Sequence, residues 1–254
     1  MTNPTLELIH SHASVRHFKP DPLPDEMVET IVAAAQCASS SSNLQAYSVI
    51  VVTDADRRRR LAELCGEQAF IAAAPVFLAW VADLARTETV CQMRGTKQAS
   101  GYVENFLVAA LDCAIAAQNA ALAAESLGLG MCYVGAIRNN PGEIIGLLEL
   151  PRLTFPIAGM SLGWPAKHGR VKPRLPLQAI LHRDTYQLDQ ESALQAYDRT
   201  MAVTGIYEGR QVPAPGKPEA MAEYGWLEHT ARRVSKAVRT GLRAVLEEQG
   251  FSLK

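Results

Sequence analysis

Residues Asn105–Gly130 read NFLVAALDCAIAAQNAALAAESLGLG, and the reading of this stretch decides the fold. It is long enough to suggest a membrane span, which needs about 20 apolar residues. Asp112, Gln118 and Asn119 interrupt it, however, and Glu125 closes it. A central carboxylate costs about 2.5–3.5 kcal/mol on insertion into a bilayer. Apolar around most of its circumference, the stretch predicts the central helix of a soluble protein, buried on several sides. Gly128 and Gly130 are placed to cap its C-terminus.

Outward from this helix, short helices and strands alternate. Apolar periodicity and capping residues predict helices at Thr5–His10, from Pro24 to about Ala38, after a cap at Asp54 or Asp56, and from Pro141. β-Branched and apolar runs predict strands at Ser48–Thr53, Val76–Val81, Met131–Ala136 and Phe155–Gly163. The residues from the second strand to about Ala99 read as irregular. Tyr197–Ala222 reads as a long Gly/Pro loop. Beyond it a basic amphipathic helix is expected from Glu223 to Glu248, with Arg232, Lys236, Arg239 and Arg243 as a solvated or dimer-rim stripe. The expected class is α+β, a small mixed or antiparallel sheet surrounded by helices. Residues 1–190 are expected to form the core and 191–254 a loop-and-helix extension.

Twenty-five Lys and Arg against 26 Asp and Glu leave a net charge of −1, which argues against gathering nucleic acid or anionic membrane. Cys37, Cys65, Cys91, Cys113 and Cys132 are scattered, without CxxC or clustered histidines, and read as reduced core thiols with no metal. The N-terminus lacks a signal-peptide pattern, so a cytoplasmic protein is expected. Arg57–Arg60 reads as a solvated face. Neither GxGxxG nor GxxxxGK[ST] is present, nor GxSxG or HExxH.

Four constellations carry chemistry. In HASVRHF, His12, Ser14 and Arg16 stand at alternate positions, which in an extended segment project to one side and suit a phosphate and a polyol, although a solvated loop has the same composition. In KPRLP, flanking prolines hold Lys172 and Arg174 extended, which lowers the entropic cost of binding phosphate. SSSSNLQ, Ser39–Gln45, offers hydroxyls and amides to an anion or a heterocycle edge, or simply ends a helix. In YVGAIRNN, Gly135 leaves backbone N–H groups open to a flat ring, or makes a turn.

In chain order, HxSxRxF, SSSSxxQ, GEQ, AAESLGLG, GxxRNN, LGWPA and KPRLP resemble the nitroreductase superfamily, specifically its oxygen-insensitive NADPH-dependent nitroreductases and NADPH–flavin oxidoreductases. The likeness covers about residues 5–190. It implies a homodimer binding FMN at its interface, with NADPH or NADH as electron donor and small-molecule acceptors such as nitroaromatics, quinones, flavins or chromate. It also implies ping-pong hydride transfer centred on the flavin, with no catalytic side chain. By the same resemblance, His12, Arg16, Lys172 and Arg174 hold the phosphate and Ser14 the ribityl region. Ser40, Ser41, Asn43 and Gln68 reach the flavin, partly from the partner subunit, and Val134 and Gly135 offer backbone near N5. Three positions depart from the family pattern: Ala13 and Ala136 replace an arginine and a glycine, and Glu208 falls where an arginine selects NADPH. Arg210, with Lys217 nearby, is then the candidate reader of the 2′-phosphate. Other expectations compatible with the resemblance are a flavin-binding sensor or carrier, or another flavin-dependent reductase or dehydrogenase of the same fold.

Overall fold

In the computed structural model, which describes residues 2–214, 216 and 224–254, helices α1 (Pro4–Ser11) and α2 (Asp25–Gln36) precede strand β1 (Tyr47–Val52). Helices α3 (Ala55–Leu64) and α4 (Ala69–Ala73) lead to β2 (Val76–Asp83), and α5 (Ala85–Met93) and α6 (Val103–Ser126) lead to β3 (Gly130–Val134). Helix α7 (Pro141–Leu147) precedes β4 (Thr154–Gly163), and α8 (Glu191–Ala202), α9 (Trp226–Val234) and α10 (Leu242–Glu248) follow. The chain divides into two compact units, Met1–Arg170 with Arg239–Lys254, and Val171–Val238.

The first unit is built on a fully antiparallel sheet in the order β1-β2-β4-β3. All eight residues of β2 are buried, as expected of a strand covered on both faces. The period of two splits them between two cores. Val76, Leu78 and Trp80 pack with α2 and α6 through Ile31, Ala35, Ala116, Ala117, Ala120 and Ala124. Phe77 and Ala79 pack on the opposite side with Leu61, Ile71, Ile137 and Ile144. The fold is therefore the expected α+β arrangement.

Helix α6 retains the length and composition of a span, with a mean hydropathy of 1.6. Its buried face nevertheless carries Asp112 and lies against the sheet. Gly128, at φ +78°, follows the helix in the left-handed conformation expected of a C-terminal cap. Gly130 does not share that role. It opens β3, and a Cβ there would lie 2.7 Å from Val15 Cβ, so the missing side chain makes room for the N-terminal segment.

Several expectations are corrected. The stretch after β2 contains α5, whose exposed Val90 and Met93 leave it no apolar stripe to betray a helix. The supposed loop from Tyr197 begins inside α8, because Tyr197 and Met201, four residues apart, bury one helical face before Gly205 ends the pattern. Residues 217–223, and with them Lys217 and the expected helix start at Glu223, lie outside the described residues. The long basic helix is two helices, broken where Arg239 takes φ +55°. The stripe dissolves accordingly: Arg232 is 2 % exposed, paired with Glu228 at 2.7 Å, while Arg239 bonds Asn139. The five cysteines form no disulfide, but Cys37 is exposed and Cys91 half-buried, so only Cys65, Cys113 and Cys132 are core residues. Arg58 also leaves the expected solvated face, donating to the Pro75 carbonyl at 3.0 Å.

At the centre of β4, Gly159 pairs with Ala79 and Val134. A Cβ at this position would sit 2.2 Å from Phe77 Cζ, inside the ring that fills the second core. Gly159→Ala should therefore cost about 1–3 kcal/mol by overpacking. The same change should cost distinctly less in a Phe77→Leu background. A double-mutant cycle by denaturant titration checks this, and strictly additive losses would reject the contact as the reason for the glycine.

Candidate functional site

In the first unit, the N-terminal segment runs as a strap beside the edge strand β3. Val15 N–H donates to the Met131 carbonyl at 2.9 Å, and Phe18 bridges to Pro165. Burying Val15 leaves its neighbours Ser14 and Arg16 on the outer side, half-buried and exposed respectively. Arg16 lies over the Phe70 ring, 5.7 Å from its centroid, at the helix that the GEQ loop opens. His12 is turned differently: its Nδ1 sits 2.5 Å from Glu125 Oε1, at the C-terminal end of α6.

The GEQ loop and the YVGAIRNN turn, separated in sequence, are joined in space. Asn140 Nδ2 donates to the Leu64 carbonyl at 2.7 Å. Gly66 and Glu67 both take positive φ, turning the chain so that Gln68 opens α4. The Gln68 side-chain amide donates to the Cys65 carbonyl at 2.7 Å, which leaves its Oε1 as the group that can accept. Val134 is buried and Gly135 begins a 3-10 turn. A Cβ on Gly135 would meet only Arg138 Nη2, at an ordinary 3.5 Å. Crowding within the protomer therefore does not require glycine here, and the backbone is open to a flat ligand. Burial, aided by the Arg239 charge, pulls the Arg138 guanidinium below its usual range.

The serine loop is held at a third place. Ser40 is extended, and Ser41–Asn43 forms a 3-10 turn. Ser42, Asn43 and Gln45 have φ between 49° and 56°, a conformation uncommon for residues other than glycine. Asp112, 2 % exposed, accepts from Ser41 N at 2.9 Å and Ala46 N at 3.2 Å. Asp112 and Glu125, which anchor the serine loop and His12, are thirteen positions apart on α6, about 20 Å along the helix. The two groups of predicted residues are thus anchored far apart on one helix.

In the second unit, a cavity of about 330 Å³ is lined by Lys172, Arg174, Tyr207, Arg210, Trp226 and His229 among others. Tyr197 donates its hydroxyl to the Pro173 carbonyl at 3.0 Å, fixing the KPRLP segment within this unit. Tyr207 stacks on His229, with ring centroids 4.3 Å apart, and the Tyr224 hydroxyl meets His229 Nδ1 at 3.2 Å. Burial, and then the Arg233 charge, push the His229 pKa down, so a neutral ring faces the cations. Arg210 thus shares one cavity with Lys172 and Arg174, a grouping invisible in sequence. Trp226 also lines it.

Each unit by itself offers donors of a kind that suits a phosphorylated flavin: a guanidinium, hydroxyls, a carboxamide and an open backbone edge in the first, an ammonium and guanidinium groups in the second. Comparison with known proteins agrees. A profile of the nitroreductase family matches residues 9–164, and one of the family's C-terminal domain matches 172–254. The chain belongs to the nitroreductase family. It is 37 % identical over 252 residues to the oxygen-insensitive NADPH nitroreductase of Salmonella typhimurium, covering 99 % of this chain and 100 % of that one. With an FMN reductase (NADPH) of Bacillus subtilis it shares 36 % identity over 98 % of its own length and 99 % of the relative's. The solved structure of B. megaterium NfrA2 superposes with a TM-score of 0.92 at 35 % identity, with both chains fully covered.

The residues to which motif reading assigned no role are Asp112, Glu125, Tyr207 and His229. Only Asp112 left a signal in the sequence, as a carboxylate on the buried stripe of an apolar helix.

Proposed function

We propose that this chain is an FMN-dependent oxidoreductase that takes a hydride from NADPH, and also from NADH, and delivers it to nitroaromatics, quinones, flavins or similar small acceptors in the cytoplasm. The observation that carries this reading is the match, along nearly the whole chain, to relatives named for NADPH-dependent nitro and FMN reduction. When bound, FMN supplies the two-electron carrier that alternates between donor and acceptor. The chain's own residues bind and orient. Arg16, Lys172, Arg174 and His12 supply charge for the phosphate, and Glu125 sets the ring orientation of His12. Ser14 serves the ribityl chain. Ser40, Ser41, Asn43, the Gln68 carbonyl oxygen and the Val134–Gly135 backbone serve the flavin ring. No nucleophile or acid is required of the protein. Within the second unit, Val171–Val238, Arg210 serves the nicotinamide donor.

The working unit in this proposal is a homodimer. Val103, Leu107, Leu111 and Ile115, at four-residue intervals, are each 41–59 % exposed on α6, a continuous apolar stripe of the kind that marks an interface. A two-fold partner supported on that stripe also answers the separation of about 20 Å between the His12 and serine-loop anchors, since each site can draw its serine loop from the other chain. Leu111→Glu should halve the particle mass in light scattering, from twice the 27.6 kDa chain mass to that of one chain. An intact dimer would remove α6 from the interface.

Purified protein should carry FMN, lose its yellow colour anaerobically with NADPH, and recover it on adding nitrofurazone or a quinone. Arg174→Ala removes a charge-assisted bond worth roughly 1.5–3 kcal/mol and should weaken FMN binding about 10-fold or more. Arg59→Ala, exposed beside Asp56 on α3, should leave it unchanged. Equal losses would exclude the KPRLP segment from phosphate binding.

Arg210 is the proposed reader of the NADPH 2′-phosphate, since a guanidinium binds phosphate in a bidentate fashion and Glu208 cannot. Arg210→Ala should raise KM for NADPH about 10-fold while NADH turnover stays constant. Parallel changes for both donors would withdraw that role.

A further inference from the structure

We infer that Asp112 is a positioning residue for the flavin site, acting through the serine loop rather than by touching the ligand. The inference rests on the proposed assignment of Ser40, Ser41 and Asn43 to the flavin. A carboxylate buried in the most apolar helix of the chain must be satisfied by hydrogen bonds to be tolerated. Both of its oxygens accept from backbone amides at the two ends of a single excursion, Ser41 and Ala46. Between those ends lie the left-handed residues Ser42, Asn43 and Gln45, a backbone path that persists only where its surroundings over-determine it. Arg86 completes the frame by donating Nη1 to the Gln45 carbonyl at 3.0 Å. With its backbone held from two sides, the loop keeps the Ser41 and Asn43 side chains exposed and in one orientation. Asp112 is thus spent on shaping a ligand-facing loop, and an apolar residue there would suit the helix but release the loop.

Asparagine at this position keeps one acceptor and turns an NH₂ toward the other amide, so Asp112→Asn should loosen one end of the loop. The same bond can be removed from the surface. Ser41 opens the 3-10 turn and follows an extended Ser40, so proline fits the backbone there, while its Cδ takes the place of the N–H and displaces the Asp112 carboxylate. Ser41→Pro deletes the N–H, and Ser41→Ala keeps it. FMN affinity of apoprotein is read by quenching of flavin fluorescence, ring orientation by visible circular dichroism of the saturated complex, and loop opening by hydrogen exchange of the 40–47 peptide. Asp112→Asn should weaken FMN about 10-fold relative to wild type, as should Ser41→Pro relative to Ser41→Ala. Both should alter the dichroism at saturation and speed exchange in that peptide, while β2 and β4 stay protected. If Ser40→Ala and Asn43→Ala weaken FMN but Asp112→Asn and Ser41→Pro bind within twofold of their references with unchanged dichroism, the positioning role is refuted. Loss in Asp112→Asn alone, with β2 deprotected, also refutes it and assigns Asp112 to the core. If neither Ser40→Ala nor Asn43→Ala changes FMN binding, the assignment of the loop to the flavin itself fails.

Discussion

The packing of α6 against β2 is the constraint on which the rest depends. Ala116, Ala117, Ala120, Ala121 and Ala124 present a surface without long side chains, so the helix can lie close to Val76, Leu78 and Trp80 and cover one face of the sheet. The opposite face is free to receive α3, α4 and α7 around Phe77. Small residues on the helix and a glycine opposite Phe77 are two solutions to the same problem, fitting bulk from one layer into space left by the next. With every β2 residue buried, neither face tolerates a shift of register, because a slip of one residue would exchange the two cores.

The same helix organises the polar segments of the first unit. Its buried face carries Asp112 to the serine loop and its C-terminal turn carries Glu125 to His12. Both acids are bound to groups that precede them by many residues in sequence, and both convert a loop into a fixed presentation of donors. A rigid helix with anchors about 20 Å apart sets the spacing between two polar segments, and its exposed apolar stripe lies on the side the sheet leaves uncovered. Core, loops and proposed subunit contact thus depend on different faces of one element.

The second unit follows another logic. Its cavity combines three cations with aromatic rings that contact one another, Tyr207 on His229 and His229 against Tyr224. A neutral imidazole among cations avoids adding to their repulsion, and burial keeps it neutral. Arg232, the largest cation hidden in this unit, bonds Glu228 and the Val212 carbonyl, so its charge supports the fold.

Much of this was legible in the sequence because it depends on local period and short motifs. The Ala-rich run read as a buried helix, the Val76–Val81 run as a strand, and GEQ, GxxRNN and KPRLP stood in family order. What escaped is what depends on partners distant in the chain. Nothing near Asp112 says that it bonds Ser41 and Ala46, and nothing near Arg210 says that it shares a cavity with Lys172. Helix α5 was missed because it buries no stripe, and the break before α10 because a single residue, Arg239, adopts a left-handed φ that composition does not betray. The sequence alone determined the four strands and the helices that bury an apolar stripe, with the chemistry they offer, since these follow from side-chain type and spacing. Tertiary structure alone decided which polar side chains stay open and which are spent holding the backbone, because that choice depends on hydrogen-bond partners brought together only by folding.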